Sequence, residues 1–209
     1  MNRYLTATTT ILVLAGVAVF AFLGWNRAQA DHPATNKPPF SMTESDFKVP
    51  ESSDQTGRDV LISSQKARSA PMLKDGTWIN SEPLTIEGLK GRVIVVDFWT
   101  YGCYNCRNTL PALKSWDSLY RDQGLTIIGV HTPEFEGEKS VQSVREQVSS
   151  LGIRYPVLTD NDNETWQAYN VHAWPTVVIL DKAGRIRWTH VGEGLYKEQE
   201  KVIKTLLAE

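Results

Sequence analysis

The stretch Val96-Asp97-Phe98-Trp99-Thr100-Tyr101-Gly102-Cys103-Tyr104-Asn105-Cys106-Arg107 contains both cysteines of this 209-residue chain. It continues the apolar run at residues 93–96, which is typical of a strand buried on both faces. The residues after Cys106 carry apolar side chains at helical spacing. A Cys-x-x-Cys pair at a strand-to-helix junction is typical of redox-active cysteines. We therefore predict Cys103 as a nucleophile and Cys106 as its resolving partner.

The start of a helix explains the expected reactivity of Cys103. Free N–H groups and the positive end of the helix dipole favour a thiolate over a thiol. Cys106 is expected one turn into the helix, close enough to form a disulfide. Two other interpretations stay open, namely a static disulfide and half of a zinc site. A Cys₄ zinc site would need two chains, because this chain has only two cysteines.

Four further features surround the cysteine pair at set distances. They are Asp97 six positions before Cys103, Pro111 five positions after Cys106, Trp174-Pro175-Thr176 before a later apolar run, and Val191-Gly192 after the next one. In this combination the chain resembles the thioredoxin superfamily over about residues 70–207. It is most similar to the membrane-anchored or secreted bacterial branch that includes TlpA-like and cytochrome c maturation proteins. Residues 98–103 and 129–134 are closest to the thioredoxin-like domain of the DipZ type. The dipeptide Tyr104-Asn105 replaces the family's commoner Gly-Pro.

This resemblance implies a fold, a reaction and roles for individual residues. The fold is a thioredoxin-like three-layer α/β sandwich with a central mixed sheet. The reaction is thiol–disulfide exchange with protein disulfides. The resemblance places Asp97 beneath Cys106, where a buried carboxylate could accept the thiol proton. It makes Pro175 a cis-proline beside the sulfurs and leaves the Trp174 backbone free to pair with an extended substrate.

Aromatic side chains around the cysteine pair are candidates for substrate binding. They are Trp99, Tyr101, Tyr104 and Trp174. Plain packing is an alternative for Trp99. We expect no metal, and no cofactor other than the redox-active disulfide of Cys103 and Cys106.

The rest of the chain predicts alternating strands and helices. Strands are predicted at residues 93–96, 125–131, 156–158, 176–180 and 186–190. Helices are predicted at residues 105–123, with Pro111 inside, and at 140–151, 164–169 and 197–207. Residues 78–80 and 84–85 predict a short hairpin or an extended lead. This order is typical of an α/β sandwich with a mixed sheet.

The N-terminus has the character of a targeting segment. Arg3 precedes an uncharged stretch from Leu5 to Trp25, which is as long as the roughly 20 residues of a membrane span. Ala28-Gln29-Ala30 is an alternative signal-peptidase site. Either way the positive end stays in the cytoplasm and the remainder is exported. We therefore predict three parts: a signal anchor or signal peptide at 1–30, a polar linker at 31–70 and a thioredoxin-like domain at 71–209.

Composition narrows the partners. The formal net charge is −2 and no basic block is present, which argues against nucleic acid. Both cysteines lie in the motif, as expected where stray thiols would be oxidised. We predict an extracytoplasmic protein held at the inner membrane by residues 5–25, with protein disulfides and dithiols as substrates and a membrane protein as electron donor.

Two alternative functions use the same residues. A metal- or haem-handling protein would use Cys103, Cys106 and a histidine such as His190. Copper-delivery proteins of this fold use Cys-x-x-x-Cys, so the spacing argues against this alternative. A peroxiredoxin-like peroxidase would share the pattern Thr100-x-x-Cys103. Asp97 stands where that motif has proline, which weakens the second alternative.

Overall fold

The computed structural model describes residues 59–209, in which six strands form one mixed sheet. The strands are Trp78–Ile79 (β1), Val93–Trp99 (β2), Leu125–His131 (β3), Val157–Thr159 (β4), Thr176–Leu180 (β5) and Ile186–Val191 (β6). Their spatial order is β1-β4-β3-β2-β5-β6. The pairs β2–β3 and β3–β4 are parallel, whereas the other pairs are antiparallel. The predicted mixed sheet is confirmed.

Four helices and three short 3₁₀ segments complete the described part of the chain. The helices are Tyr104–Tyr120 (α1), Val141–Ser150 (α2), Glu164–Ala168 (α3) and Tyr196–Ala208 (α4). The 3₁₀ segments are Glu87–Leu89, Arg121–Gln123 and Glu136–Lys139. The predicted helix over residues 105–123 is confirmed as α1 followed by a 3₁₀ turn, and α1 continues through Pro111.

Apolar side chains on β2 alternate between two cores. Val93, Val95 and Trp99 pack with side chains of α1, α2 and α4 on one face of the sheet. Ile94 and Val96 pack on the other face with residues from 70–89 and with the region around α3. A central strand with parallel and antiparallel neighbours is buried on both faces, which explains its continuous apolar run.

The extended lead before β2 joins the sheet as an edge strand. Trp78 and Ile79 pair antiparallel with Leu158 and Val157 of β4. The hairpin between residues 78–80 and 84–85 does not form, because the pairing partner of β1 comes from much later in the chain. The sequence pattern of two or three residues cannot specify such a distant partner.

Residues before 71 also contact the sheet at its other edge. The N–H groups of Asp59 and Ile62 donate to the carbonyl oxygens of Thr189 and Arg187 in β6. None of the helices within residues 59–209 combines the length and apolar character needed to cross a bilayer. The predicted segment at 1–30 and most of the predicted linker lie outside the described residues.

Candidate active site

The cysteine pair lies where β2 leads into α1. Cys103 is the N-cap residue of α1, and its sulfur accepts a hydrogen bond from the Cys106 N–H at 3.2 Å. The two residues form a disulfide. Cys103 is half-buried and lines a cleft of about 450 Å³, whereas the Cys106 side chain is only 1% exposed. Cys103 is thus the sulfur that an outside thiol or disulfide can reach.

A buried carboxylate lies on the face of β2 that α1 covers. Asp97 is 1% exposed, and strand alternation directs it to the same face as Val95 and Trp99. Its Oδ1 has no hydrogen-bond partner among the described residues. Burial raises the pKa of Asp97 from 3.8 to about 7. Asp97 can therefore gain and lose a proton near neutral pH.

A cis-proline follows Trp174, a residue that lines the cleft. The Trp174–Pro175 peptide bond is cis. The Trp174 indole N–H donates to the Thr132 carbonyl at 3.1 Å, and its ring lies 4.3 Å from that of Trp166. These contacts fix the side chain. Within the part of the chain that the structure describes, the Trp174 backbone forms no hydrogen bond with other backbone groups.

A neutral histidine at the end of β3 packs against residues 99–101, which precede the cysteines. His131 is completely buried, and burial lowers its pKa to about 4. Its Nε2 lies 3.2 Å from the Thr100 hydroxyl. The Tyr101 ring stacks on the imidazole at 5.4 Å, while Trp99 meets it edge-on. His131 therefore serves as a packing element between β2 and β3 at neutral pH.

A second buried acid contacts the cysteine loop from the segment after β3. Glu138 is 5% exposed and accepts hydrogen bonds from the backbone N–H groups of Gly102, Glu134 and Phe135. The sequence does not single out this residue, because it lies in a charged stretch that resembles a solvated loop. The signal that could have revealed it is Gly102, a glycine whose position leaves room for the carboxylate.

Comparison with known proteins places this site in a family. The AhpC/TSA family matches residues 65–189. The chain belongs to the AhpC/TSA family. Protein DipZ of Mycobacterium tuberculosis is 39% identical over 143 residues, which cover 66% of this chain and 21% of DipZ. The thiol-disulfide oxidoreductase YkuV of Bacillus subtilis is 29% identical over 133 residues, which cover 63% of this chain and 88% of YkuV.

The solved structure of a thioredoxin-like superfamily protein, SPOA0173, shows the same fold. It aligns with a TM-score of 0.64 at 28% identity and covers 68% of this chain and 98% of its own. The predicted resemblance to the thioredoxin superfamily is thereby confirmed. This AhpC/TSA family member has a thioredoxin-like fold and a disulfide-bonded Cys-x-x-Cys pair. It spans about a fifth of the length of DipZ.

The predicted substrate-binding aromatics lie in different environments in this protein. Tyr104 is 76% exposed beside Cys103, and Trp174 lines the same cleft. Tyr101 is half-buried, and its hydroxyl donates to the Gly137 carbonyl at 3.1 Å. Trp99 has no exposed surface and packs in the core, as in the alternative interpretation. Tyr104 and Trp174 therefore remain candidate contacts for a protein substrate, called the client below.

No group of three or more His, Cys, Asp or Glu side chains within residues 59–209 is arranged to hold a metal ion. His190 contacts Asp59 with its Nδ1 at 2.6 Å. The Thr100 hydroxyl of the peroxidase-like pattern is fully buried against His131. No specific observation within residues 59–209 supports either alternative function, the metal- or haem-handling protein or the peroxiredoxin-like peroxidase.

Proposed function

We propose that this protein is a thiol–disulfide oxidoreductase that works on the extracytoplasmic side of a membrane, where it exchanges electrons with protein disulfides. The observation that carries the reaction is the contrast between Cys103 and Cys106 at the start of α1. One sulfur faces a cleft, and the other is buried on the same face of the sheet as Asp97, whose pKa is about 7. The uncharged stretch after Arg3, together with the confinement of cysteine to the motif, supports export.

The reduced enzyme starts the reaction through Cys103. Its thiolate attacks one sulfur of a client disulfide, so the client S–S bond breaks and the other client sulfur leaves as a thiolate. Cys106 then attacks the Cys103 sulfur of the mixed disulfide. The second client sulfur leaves, and the Cys103–Cys106 disulfide forms. Two electrons pass from the enzyme to the client, and the reverse sequence oxidises a client dithiol.

Asp97 acts in the second step of this scheme. Cys106 must lose its proton before it can attack, and it is shielded from water. A carboxylate with a pKa of about 7 can take that proton at neutral pH. The proton is returned when the client thiolate is protonated on release.

The backbone next to Pro175 forms part of the surface that binds the client protein. The Trp174 backbone has free hydrogen-bonding groups beside Cys103, so an extended client segment can pair with it as an added strand. The exposed Tyr104 ring, which lines the same cleft, offers apolar contact to residues that flank the client cysteine. A protein that re-reduces or re-oxidises the pair at the membrane is the expected electron partner.

Insulin reduction tests the reaction. The wild-type protein should accelerate insulin precipitation in dithiothreitol, and Cys103→Ser should abolish the acceleration. Cys106→Ser should accumulate mixed disulfides that disappear with reductant, because the resolving thiol is missing. Equal trapping by Cys103→Ser would contradict the assigned roles.

Protease accessibility tests the location. The full chain is expressed in a Gram-negative host, and spheroplasts are treated with added protease. Digestion of residues 71–209 without lysis supports export, with a cytoplasmic protein as control for intact cells. Protection until lysis would exclude the proposed location without affecting the insulin result.

A further inference from the structure

Glu138 connects two loops around the cysteine pair. Its Oε1 accepts the Gly102 N–H at 3.0 Å, and its Oε2 accepts the N–H groups of Glu134 and Phe135 at 2.7 and 3.2 Å. An ionised carboxylate is purely an acceptor, and all three of these groups are donors. The 3₁₀ segment that carries Glu138 is thereby attached to the residue that precedes Cys103.

Gly102 has no Cβ atom, and the Glu138 carboxylate occupies the space that a Cβ would fill. A Cβ atom at position 102 would lie 2.3 Å from Glu138 Oε1, far inside van der Waals contact. The neighbouring Tyr101 reinforces the same attachment, because its hydroxyl donates to the Gly137 carbonyl. Two consecutive residues of the cysteine loop thus depend on the segment Glu136–Lys139.

The Glu138 charge is not neutralised by an ion pair within residues 59–209. The neighbouring Lys139 pairs instead with the exposed Glu136. The charge acts on the side chains of Tyr101 and His131. Burial is the main cause of the raised pKa of Tyr101, and the Glu138 charge raises it further. The same charge opposes the fall in the pKa of His131 that burial causes. The other titratable or charged side chains that line the cleft or contact Tyr101 are Tyr104, Arg107, Glu134 and His172. Asp97 is buried on the face of the sheet that α1 covers.

We propose that Glu138 is a positioning residue that holds the Gly102–Cys103 loop and, through its charge, sets the balance between the disulfide and dithiol forms. This role rests on the proposed function, in which Cys103 is the attacking thiolate. In the oxidised form the two sulfurs are uncharged. In the reduced form the Cys103 thiolate belongs to the residue that follows Gly102, whose N–H binds the buried Glu138 carboxylate, and like charges repel. Glu138 therefore favours the disulfide and makes the dithiol a stronger reductant.

Glutathione equilibration of the full-length protein tests this proposal. The disulfide reacts with two glutathione thiols to give the Cys103 and Cys106 thiols and one oxidised glutathione, so two electrons and two protons enter the protein. Glu138→Gln removes the charge while keeping the shape. The equilibrium constant for forming the protein disulfide from oxidised glutathione should fall by about threefold to tenfold. The pH midpoint of Cys103 alkylation should fall as well.

Glu136→Gln is the matched control. It removes one charge from the same segment, but the Glu136 carboxylate is exposed and bonded only to Lys139 in the described part of the chain. The control should leave both the glutathione equilibrium and the alkylation midpoint at the wild-type values. Equal shifts in both variants would show a general charge effect and overturn a specific role for Glu138. An unchanged Glu138→Gln would overturn the proposal outright.

Gly102→Ala gives a second route to the same contact. Its methyl group must displace the Glu138 carboxylate from the Gly102 N–H. Its effect on the glutathione equilibrium should be clearly smaller in a Glu138→Gln background, as a double-mutant cycle would show. Additive effects would contradict the proposal, and this variant also serves if Glu138→Gln does not fold. A wild-type protein without insulin reductase activity would instead refute the proposed function.

Discussion

Cys103 and Cys106 differ in surroundings although they are three residues apart. The N-cap position of Cys103 supplies a hydrogen bond from the Cys106 N–H and the positive end of α1, whereas Cys106 lies in the apolar core. Both effects should make Cys103 the more acidic and the more accessible thiol. In the reduced protein at pH 7, iodoacetamide should modify Cys103 first, as peptide mass spectrometry can show. Faster labelling of Cys106 would reverse the assignment.

Asp97 is predicted to control the second chemical step. Asp97→Asn preserves the shape of the side chain but cannot accept the Cys106 proton. Release of a preformed mixed disulfide should slow by about tenfold or more at pH 7, in line with the loss of a general base. The slowing should shrink above pH 8, where hydroxide can deprotonate the thiol. Quenched-flow analysis of release between pH 6 and 9 measures this. A constant rate ratio across that range would leave Asp97 a purely structural role.

Trp99 and Glu138 show what sequence reasoning reaches at the scale of single residues. The predicted strand ended at residue 96, whereas β2 continues to Trp99. That extension puts Trp99 on the same face as Val95, inside the core. Glu138 bonds to backbone N–H groups, one of them 36 residues away. Backbone donors exist at every residue except proline, so such a contact leaves no side-chain pattern to read. The cysteines were predictable because their chemistry needs specific side chains.

At the scale of elements, backbone hydrogen bonds attach β6 to residues 59–62. Arg187 is the buried centre of this junction, and its guanidinium binds Asp181, Glu209 and the Ile62 carbonyl. Arg187→Met should destabilise the protein by about 2–3 kcal/mol, because Asp181 keeps a buried charge with fewer partners. Urea unfolding measures the change.

Arg185→Met is the control. Its half-exposed side chain also pairs with Asp181, so the loss should be smaller, about 1 kcal/mol. Equal losses would argue against a special role for Arg187.

Helices and central strands were predictable at this scale, whereas edge pairing was not. The stripes of α1 and α4 and the apolar runs of β2, β3 and β5 follow from periodicity alone. The pairing of β1 with β4 and the attachment of residues 59–62 to β6 depend on backbone hydrogen bonds between distant segments. Such bonds are available to any sequence, so the tertiary arrangement decides them.

At the scale of the whole molecule, two buried groups give stability opposite dependences on pH. Asp97 has a folded-state pKa of about 7 against 3.8, so the folded form binds the extra proton. Its favourable contribution is complete below about pH 4 and is lost as the pH rises to 7. His131 has a folded-state pKa of about 4 against 6.5. Its contribution is complete above about pH 6.5 and is lost as the pH falls to 4. Between these limits the two effects oppose each other.

Asp97→Asn should separate these two dependences. The substitution removes the cost of burying a carboxylate, so the oxidised variant should exceed the wild type in unfolding free energy above pH 7. The pKa difference sets an upper bound of about 4 kcal/mol on this gain. The gain should vanish near pH 4, where the wild-type carboxyl is protonated, and the acid dependence due to His131 should then stand alone.

Urea unfolding of both proteins at pH 4, 5, 6, 7 and 8 provides the curves. Asp75→Asn, at an exposed aspartate before β1, is the control and should change the unfolding free energy by no more than about 0.5 kcal/mol. A pH-independent difference for Asp97→Asn would mean that the buried carboxyl does not titrate near neutrality. Its assignment as the proton acceptor for Cys106 would then fail as well.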